Sequence, residues 1–156
     1  MEADDSLKQE VLQLVPQKEP FRFIDEIISL DDEQIVGAYR FREDEYFYRG
    51  HFPGNPITPG VILIEAMAQT GVVAFGIYLL SRQKKMRPSQ LTIPLSLFSL
   101  ADGVEFKGIV APGERVIIKG QKVYFRKNTI KANVSMEREN GEVVCLGNLA
   151  GMGVNR

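Results

Sequence analysis

Gly60-Val61-Ile62-Leu63-Ile64-Glu65-Ala66-Met67-Ala68-Gln69-Thr70-Gly71-Val72-Val73-Ala74-Phe75-Gly76-Ile77-Tyr78-Leu79-Leu80 is the stretch whose reading decides the fold. It is apolar nearly all round, with Glu65 its only charged residue and Gln69 and Thr70 its main polar ones. Its length and hydrophobicity approach those of a membrane span. Arg82, Lys84, Lys85 and Arg87 come directly after it, as basic residues do after a span. We read the stretch instead as a helix buried inside a protein. The chain beyond it is strand-like and amphipathic, and a sheet wrapped about a helix demands one that is apolar on every side. A carboxylate in lipid also needs a partner, and no residue nearby supplies one.

Downstream the pattern is β. Segments 91–98, 104–110, 115–126, 129–138 and 142–152 read as strands, separated by turn signals at Asp102-Gly103, Pro112-Gly113, Asn128 and Asn140-Gly141. The last of these is a strong hairpin signal. Upstream, residues 6–14 read as a short amphipathic helix, capped by Ser6, striped by Leu7, Val11, Leu12 and Leu14, and closed by Pro16. Phe21 to Leu30 and Gln34 to Phe41 read as strands around an Asp31-Asp32-Glu33 turn. Between Arg49 and Gly60 lie three prolines and three glycines, which make a shaped loop. The order is therefore helix, two strands, long buried helix, run of strands. That is an α+β chain, an antiparallel sheet with one central helix packed on it. One sheet on one helix leaves an edge or a face uncovered, so a homodimer is expected.

Composition narrows the function classes. The chain has 156 residues, 44% hydrophobic and 25% charged, the proportions of an ordinary globular domain. We take residues 1–156 as a single domain, long enough to bury roughly two-thirds of its unfolded surface without a disulfide or metal staple. A lone cysteine, Cys145, excludes an internal disulfide framework and a multi-thiolate zinc site, and a lone histidine, His51, excludes an imidazole cluster. A reducing, cytoplasmic compartment fits this cysteine usage and the acidic N-terminus. The net charge of −1 hides an asymmetry: residues 1–50 carry 13 acids and 6 bases, residues 51–156 carry 7 acids and 13 bases. Arg115, Lys119, Lys122, Arg126, Lys127 and Lys131 succeed one another with no acid between them. On charge alone, the two halves neutralise each other in the fold. Nucleic acid is not an expected partner, because no binding motif accompanies the bases.

The residues that carry chemistry lie between Gly50 and Gln69. His51 sits in a loop stiffened by proline and glycine, where a side chain can be aimed. Pro59-Gly60 opens the apolar helix, so free N–H groups and the positive end of its dipole point outward at Gly60 and Val61. Glu65 stands in the second turn as the one ionisable group on an apolar surface, where desolvation keeps a proton available. Taken singly, a histidine or a glutamate of this kind is more often structural. Together they supply a base, an acid and N–H donors, the inventory for proton transfer beside a polarised carbonyl.

The run His51-Phe52-Pro53-Gly54, then Pro59-Gly60, then Glu65-Ala66-Met67-Ala68-Gln69 closely resembles the active-site segment of the (3R)-hydroxyacyl-[acyl-carrier-protein] dehydratases, hot-dog fold enzymes of type II fatty acid synthesis. The likeness continues in Pro20-Phe21-Arg22-Phe23-Ile24-Asp25, Phe106-Lys107, Val110-Ala111-Pro112-Gly113-Glu114 and Gly141-Glu142-Val143-Val144-Cys145, and spans residues 11–147. The resemblance implies a hot-dog fold, an antiparallel sheet wrapped around the long central helix and paired as a dimer. It implies reversible loss of water from a (3R)-3-hydroxyacyl thioester to give the trans-2-enoyl product. His51 matches the family's catalytic histidine, Glu65 its catalytic acid, and Gly60 the glycine whose N–H polarises the thioester carbonyl. Phe52 and Val61 line the acyl tunnel. The histidine and the acid come from opposite protomers of a homodimer, or of a higher oligomer of dimers, so active sites are shared. The substrate arrives on the phosphopantetheine arm of an acyl carrier protein, and no metal or other cofactor is required.

Glutamate at position 65, where the related dehydratase/isomerases usually carry aspartate, favours a dehydratase without obligatory isomerase activity. The sequence departs from the family at Gln17-Lys18, where a His-Arg pair is common, and at Gly108, where proline is usual. Its Gly147-to-Gly153 segment is unusually rich in glycine. These departures touch tunnel shape and leave the catalytic groups in place. Two alternatives stand beside the dehydratase: a hot-dog thioesterase, and a non-catalytic acyl-carrier-binding protein.

Overall fold

In the computed structural model, which describes residues 1–154, the chain opens with helix α1, Asp5–Leu14. Its cap is Asp4, not Ser6: the Asp4 carboxylate accepts from the Leu7 N–H at 2.8 Å. An aspartate there satisfies an orphan donor and also meets the positive end of the helix dipole, which a serine inside the first turn does not. Val11 and Leu12 are buried, as their spacing requires.

The sheet has six strands: β1, Glu26–Leu30; β2, Gln34–Arg40; β3, Leu95–Phe106; β4, Arg115–Arg126; β5, Thr129–Arg138; β6, Val143–Val154. All pair antiparallel in the order β1-β2-β4-β5-β6-β3. β4 and β5 coincide with the strands expected from the sequence. Their turn carries positive φ at both Lys127 and Asn128, the geometry a tight hairpin needs.

Two expectations are corrected. Residues 21–25 are not strand, although Phe23 and Ile24 are buried. The side chain of Gln69 bonds the backbone of Phe21 and Phe23, and the chain first meets β2 at Asp25, whose N–H donates to the Ala38 carbonyl. Segments 91–98 and 104–110 are not two strands around an Asp102-Gly103 turn. β3 runs from Leu95 through to Phe106, and Gly103, at φ +59°, is absorbed as a bulge where the pairing with β6 shifts register. Beyond Phe106 the chain leaves the ladder, with the Lys107 and Gly108 N–H groups both donating to the Val144 carbonyl.

The sheet curls over a continuous helix, Gly60–Lys84, α-helical at each end with a π-helical stretch at Gln69–Ala74. Its most apolar stretch is 72% buried, so protein and not lipid is what this helix packs against. The approach is close enough to require glycines. A Cβ on Gly71 would lie 2.6 Å from Val134 Cγ2, and one on Gly151 would lie 2.5 Å from Val72 Cγ1. Much of the basic run on β4 is neutralised by acids from elsewhere. Arg115 pairs with Glu26 and Glu139, Lys119 with Glu137, and Lys122 with Glu33.

β1 and β3 are the sheet's edges. On β3, Leu95, Leu97, Phe98, Leu100 and Phe106 are all more than a third exposed. An apolar, exposed edge strand of this length is an unusual thing to leave facing water.

Candidate active site

The loop ahead of the central helix is held at several points. A 3₁₀ turn, Tyr46–Arg49, leads into it. The Tyr48 and Thr58 hydroxyls share a buried hydrogen bond of 2.6 Å, and the Thr58 N–H donates to the Val110 carbonyl at 3.0 Å. Within the loop, the Ile57 N–H donates to the His51 carbonyl at 2.8 Å, and the Asn55 N–H to the Phe52 carbonyl at 2.8 Å. These bonds fix both the base and the tip of the loop that bears His51.

The His51 side chain is fixed as well. Its Nδ1 lies 2.8 Å from the Ile57 carbonyl oxygen, and a carbonyl only accepts. Nδ1 therefore carries the hydrogen, and in the neutral ring Nε2 presents its lone pair, the form a base requires. The Phe52 ring stacks on the imidazole, with centroids 4.2 Å apart, and is half exposed beside it.

Glu65 is partly buried on the central helix, and burial pushes its carboxyl up from the ordinary carboxylate range. Opposing that shift, the Gln69 amide donates to Glu65 Oε1 at 3.0 Å, one helical turn on. Burial is the larger effect and moves the group toward its protonated form. Gln69 is fully buried and fully engaged: Nε2 also donates to the Phe21 carbonyl at 2.9 Å, and Oε1 accepts from the Phe23 N–H at 2.7 Å. In the sequence Gln69 registers only as a polar residue on the helix. Its spacing of four from Glu65 is the available signal, but the tie to residues 21–23 crosses the chain and has no local pattern.

Gly60 is the first residue of the helix. The Pro59 carbonyl accepts from Ile62 and Leu63, and the N–H groups of Gly60 and Val61 have no partner within the helix. Phe106 lies over this end, so close that a Cβ on Gly60 would come within 3.0 Å of its ring. Phe106 is a second such residue: the sequence marks it only within the Phe106-Lys107 match, and its place beside Gly60 comes from a contact across the fold. The helix's free N–H groups therefore stand beside an aromatic ring packed on Gly60. Val61 is 72% exposed and faces away from the core.

The structure thus places His51, Phe52, Gly60, Val61 and Glu65 in one loop–helix unit. Within the protomer, however, His51 and Glu65 turn to different partners, Ile57 and Gln69.

A family model described as a FabA-like domain matches residues 15–148. The chain is 36% identical over 140 residues to the 3-hydroxyacyl-[acyl-carrier-protein] dehydratase FabZ of Caldicellulosiruptor saccharolyticus, covering 89% of this chain and 92% of that protein. It is 38% identical over 125 residues to the FabZ of Chloroflexus aggregans, covering 76% of each. Over 139 residues it is 32% identical to the FabZ of Proteus mirabilis, covering 88% of this chain and 86% of that one. Among solved structures, the dehydratase heterocomplex ApeI:P from Xenorhabdus doucetiae superposes with a TM-score of 0.74 at 16% identity, over 94% of this chain and 91% of that one. A hypothetical thioesterase from Streptococcus pneumoniae, bound to coenzyme A, superposes at 0.55 and 14% identity, over 84% and 86%. The structural likenesses speak to the fold, and both are hot-dog proteins.

Proposed function

This chain belongs to the FabA-like family of 3-hydroxyacyl-[acyl-carrier-protein] dehydratases, hydro-lyases of fatty acid biosynthesis, and from that premise we propose how its residues divide the reaction. His51 Nε2 takes a proton from the carbon next to the thioester carbonyl. As negative charge builds on the thioester oxygen, the Gly60 N–H donates to it. Glu65 gives its proton to the hydroxyl on the next carbon, which departs as water. The C–H and C–O bonds break, a carbon–carbon double bond forms, and imidazolium and carboxylate remain to exchange one proton back. No electron is transferred to or from the substrate, so the chemistry needs no redox cofactor, and the N–H donor does what a Lewis-acid metal would otherwise do.

The observation that carries this assignment is the bond from His51 Nδ1 to the Ile57 carbonyl, which leaves Nε2 free as a base. The raised carboxyl of Glu65 supports the complementary role of acid. A side chain at position 60 would press on the Phe106 ring, and glycine leaves the first N–H groups of the helix uncovered by any side chain of its own.

As the family resemblance implies, each site is built from His51 of one chain and Glu65 of its partner; within a protomer the two side chains hydrogen-bond to different groups. The exposed apolar edge on β3 is where a second copy pairs, strand to strand, in a homodimer. The substrate is delivered on phosphopantetheine by an acyl carrier protein. Arg82 and Arg87 are engaged with Asp32 and Glu10, which leaves Lys84, Lys85 and Lys127 as the more available cations for an acidic carrier. Residues 1–156 act as one domain, in the cytoplasm.

The test is mass analysis of 3-hydroxyacyl carrier substrates with purified protein, beside His51→Ala and Glu65→Ala. Wild type should remove one water and leave the thioester intact. Each variant should lose activity by roughly 10²–10⁴-fold, the usual share of general acid–base catalysis. Release of free carrier thiol would mark a thioesterase instead, and carrier binding without turnover would mark a non-catalytic protein.

A further inference from the structure

The basic form of His51 hangs on a single peptide unit. The Ile57 carbonyl that holds Nδ1 belongs to the same planar amide as the Thr58 N–H, which donates to the Val110 carbonyl at 3.0 Å. That amide is strung between the imidazole and a fully buried residue. An N–H donated on one side makes the carbonyl on the other a stronger acceptor. The far anchor is itself tied down, because Arg138 donates to the neighbouring Ile109 carbonyl at 2.7 Å.

The amide keeps one soft motion. Pro56 and Pro59 fix their own φ angles, and Thr58, ahead of a proline, is biased to extended backbone. Rotation of the amide about the two bonds that flank it remains, and it would turn the carbonyl away from His51. The Tyr48 hydroxyl opposes that rotation. It meets the Thr58 hydroxyl at 2.6 Å, and both residues are at most 5% exposed. Tyr48 is a fixed post within the turn Tyr46–Arg49: its N–H donates to the Glu45 carbonyl at 3.2 Å, and the buried Glu45 side chain accepts from the Tyr39 hydroxyl and the Arg42 N–H. Burial pushes the Tyr48 hydroxyl up to about 12, so the pair stays neutral at working pH. Packing alone does not call for two hydroxyls here, since apolar groups of the same shape fill a buried space about as well.

We propose that Tyr48 and Thr58 are positioning residues whose shared hydrogen bond holds the Ile57–Thr58 amide and so keeps the hydrogen of His51 on Nδ1. Without that hold the hydrogen also settles on Nε2, where it occupies the lone pair a base needs. The effect on rate rests on the dehydratase reading above, whereas the tautomer belongs to the protein alone.

His51 is the chain's only histidine, so untagged protein isotopically labelled in the nitrogens of histidine reports that tautomer directly by nuclear magnetic resonance. The spectra are taken at about pH 9, above the ordinary imidazole range. Wild type should carry its hydrogen on Nδ1. Tyr48→Phe and Thr58→Val should each show a mixture, and should lose about tenfold to a hundredfold in kcat on a 3-hydroxyacyl carrier thioester, with KM within about twofold, the scale of a small misplacement. The double variant leaves neither hydroxyl unpaired, so its thermal stability should return toward wild type while its spectrum and kcat stay impaired. It decides the matter if a single variant unfolds. Thr58→Ser, which keeps a hydroxyl, should recover both spectrum and kcat. Variants with the wild-type spectrum, or a double variant that regains kcat along with stability, would overturn the proposal and leave the dehydratase reading standing. A wild-type ring with its hydrogen on Nε2 would overturn the proposal together with the base assigned to His51. A wild type inert on every carrier substrate would overturn the dehydratase reading, and the spectra of the variants would still judge the hold on His51.

Discussion

Gln69 holds two structures with one amide. It ties residues 21 and 23 to the central helix and presents an N–H to the carboxyl of Glu65. The two effects on that carboxyl oppose each other, burial raising it and the amide lowering it, and burial is the larger. As an acid, Glu65 works only while protonated, so activity falls as pH rises through its folded value. Gln69→Leu removes the donor that stabilises the charged form. The alkaline limb of the kcat/KM profile should therefore move to higher pH, while kcat falls because the carboxyl is no longer held. The buried Phe23 N–H and Phe21 carbonyl would lose their side-chain partner, at a cost of about 1–3 kcal/mol for an unmade bond in the interior. Thermal unfolding and the pH profile read the two consequences separately. A drop in stability with an unmoved alkaline limb would reduce Gln69 to a structural tie.

At the scale of elements, two glycines in the same helix illustrate what a sequence conveys and what it withholds. Gly71 and Gly76 both stand among apolar neighbours, yet the sheet meets Gly71 at 2.6 Å and stands off from Gly76 at 3.5 Å. Gly71→Ala should destabilise by about 1–3 kcal/mol through overpacking, less the roughly 1 kcal/mol that alanine returns in helix propensity. Gly76→Ala should gain most of that ~1 kcal/mol. Urea midpoints at unchanged slope measure both, and a common sign for the pair would show that the sheet does not distinguish them. The same limit explains the errors in strands. β4 and β5 were legible because apolar alternation and the turn at Asn128 are local signals. Asp102-Gly103 is the same kind of signal, but pairing with β6 decided that it be a bulge, and β6 is remote in sequence. Phe23 and Ile24 have strand chemistry, and a buried glutamine from another element claimed the backbone at residue 23. His51, Gly60 and Glu65, the groups proposed for the site, fall within one continuous segment and so can be proposed from the sequence, whereas Gln69's tether and the ring of Phe106 come from contacts across the fold.

For the whole molecule, the proposed homodimer answers both the exposed apolar residues of β3 and the division of His51 and Glu65 between protomers. On the proposed pairing, a second copy that covers β3 would also bring a second helix and a second loop to the same place, so association would complete the site as well as the core. Two-fold symmetry makes this testable without a structure of the dimer, because the two chains of a pair can carry different defects. His51→Ala retains a sound Glu65, and Glu65→Ala retains a sound His51. In a mixed dimer one shared site then has both groups and the other has neither. After free subunit exchange about half the dimers are mixed and each has one working site, so activity should return to about a quarter of the wild-type level. Each variant alone stays inactive throughout, and mixing without exchange restores nothing. Were both groups drawn from the same protomer, no mixture would contain a complete site, and the exchanged sample would stay as silent as its parents.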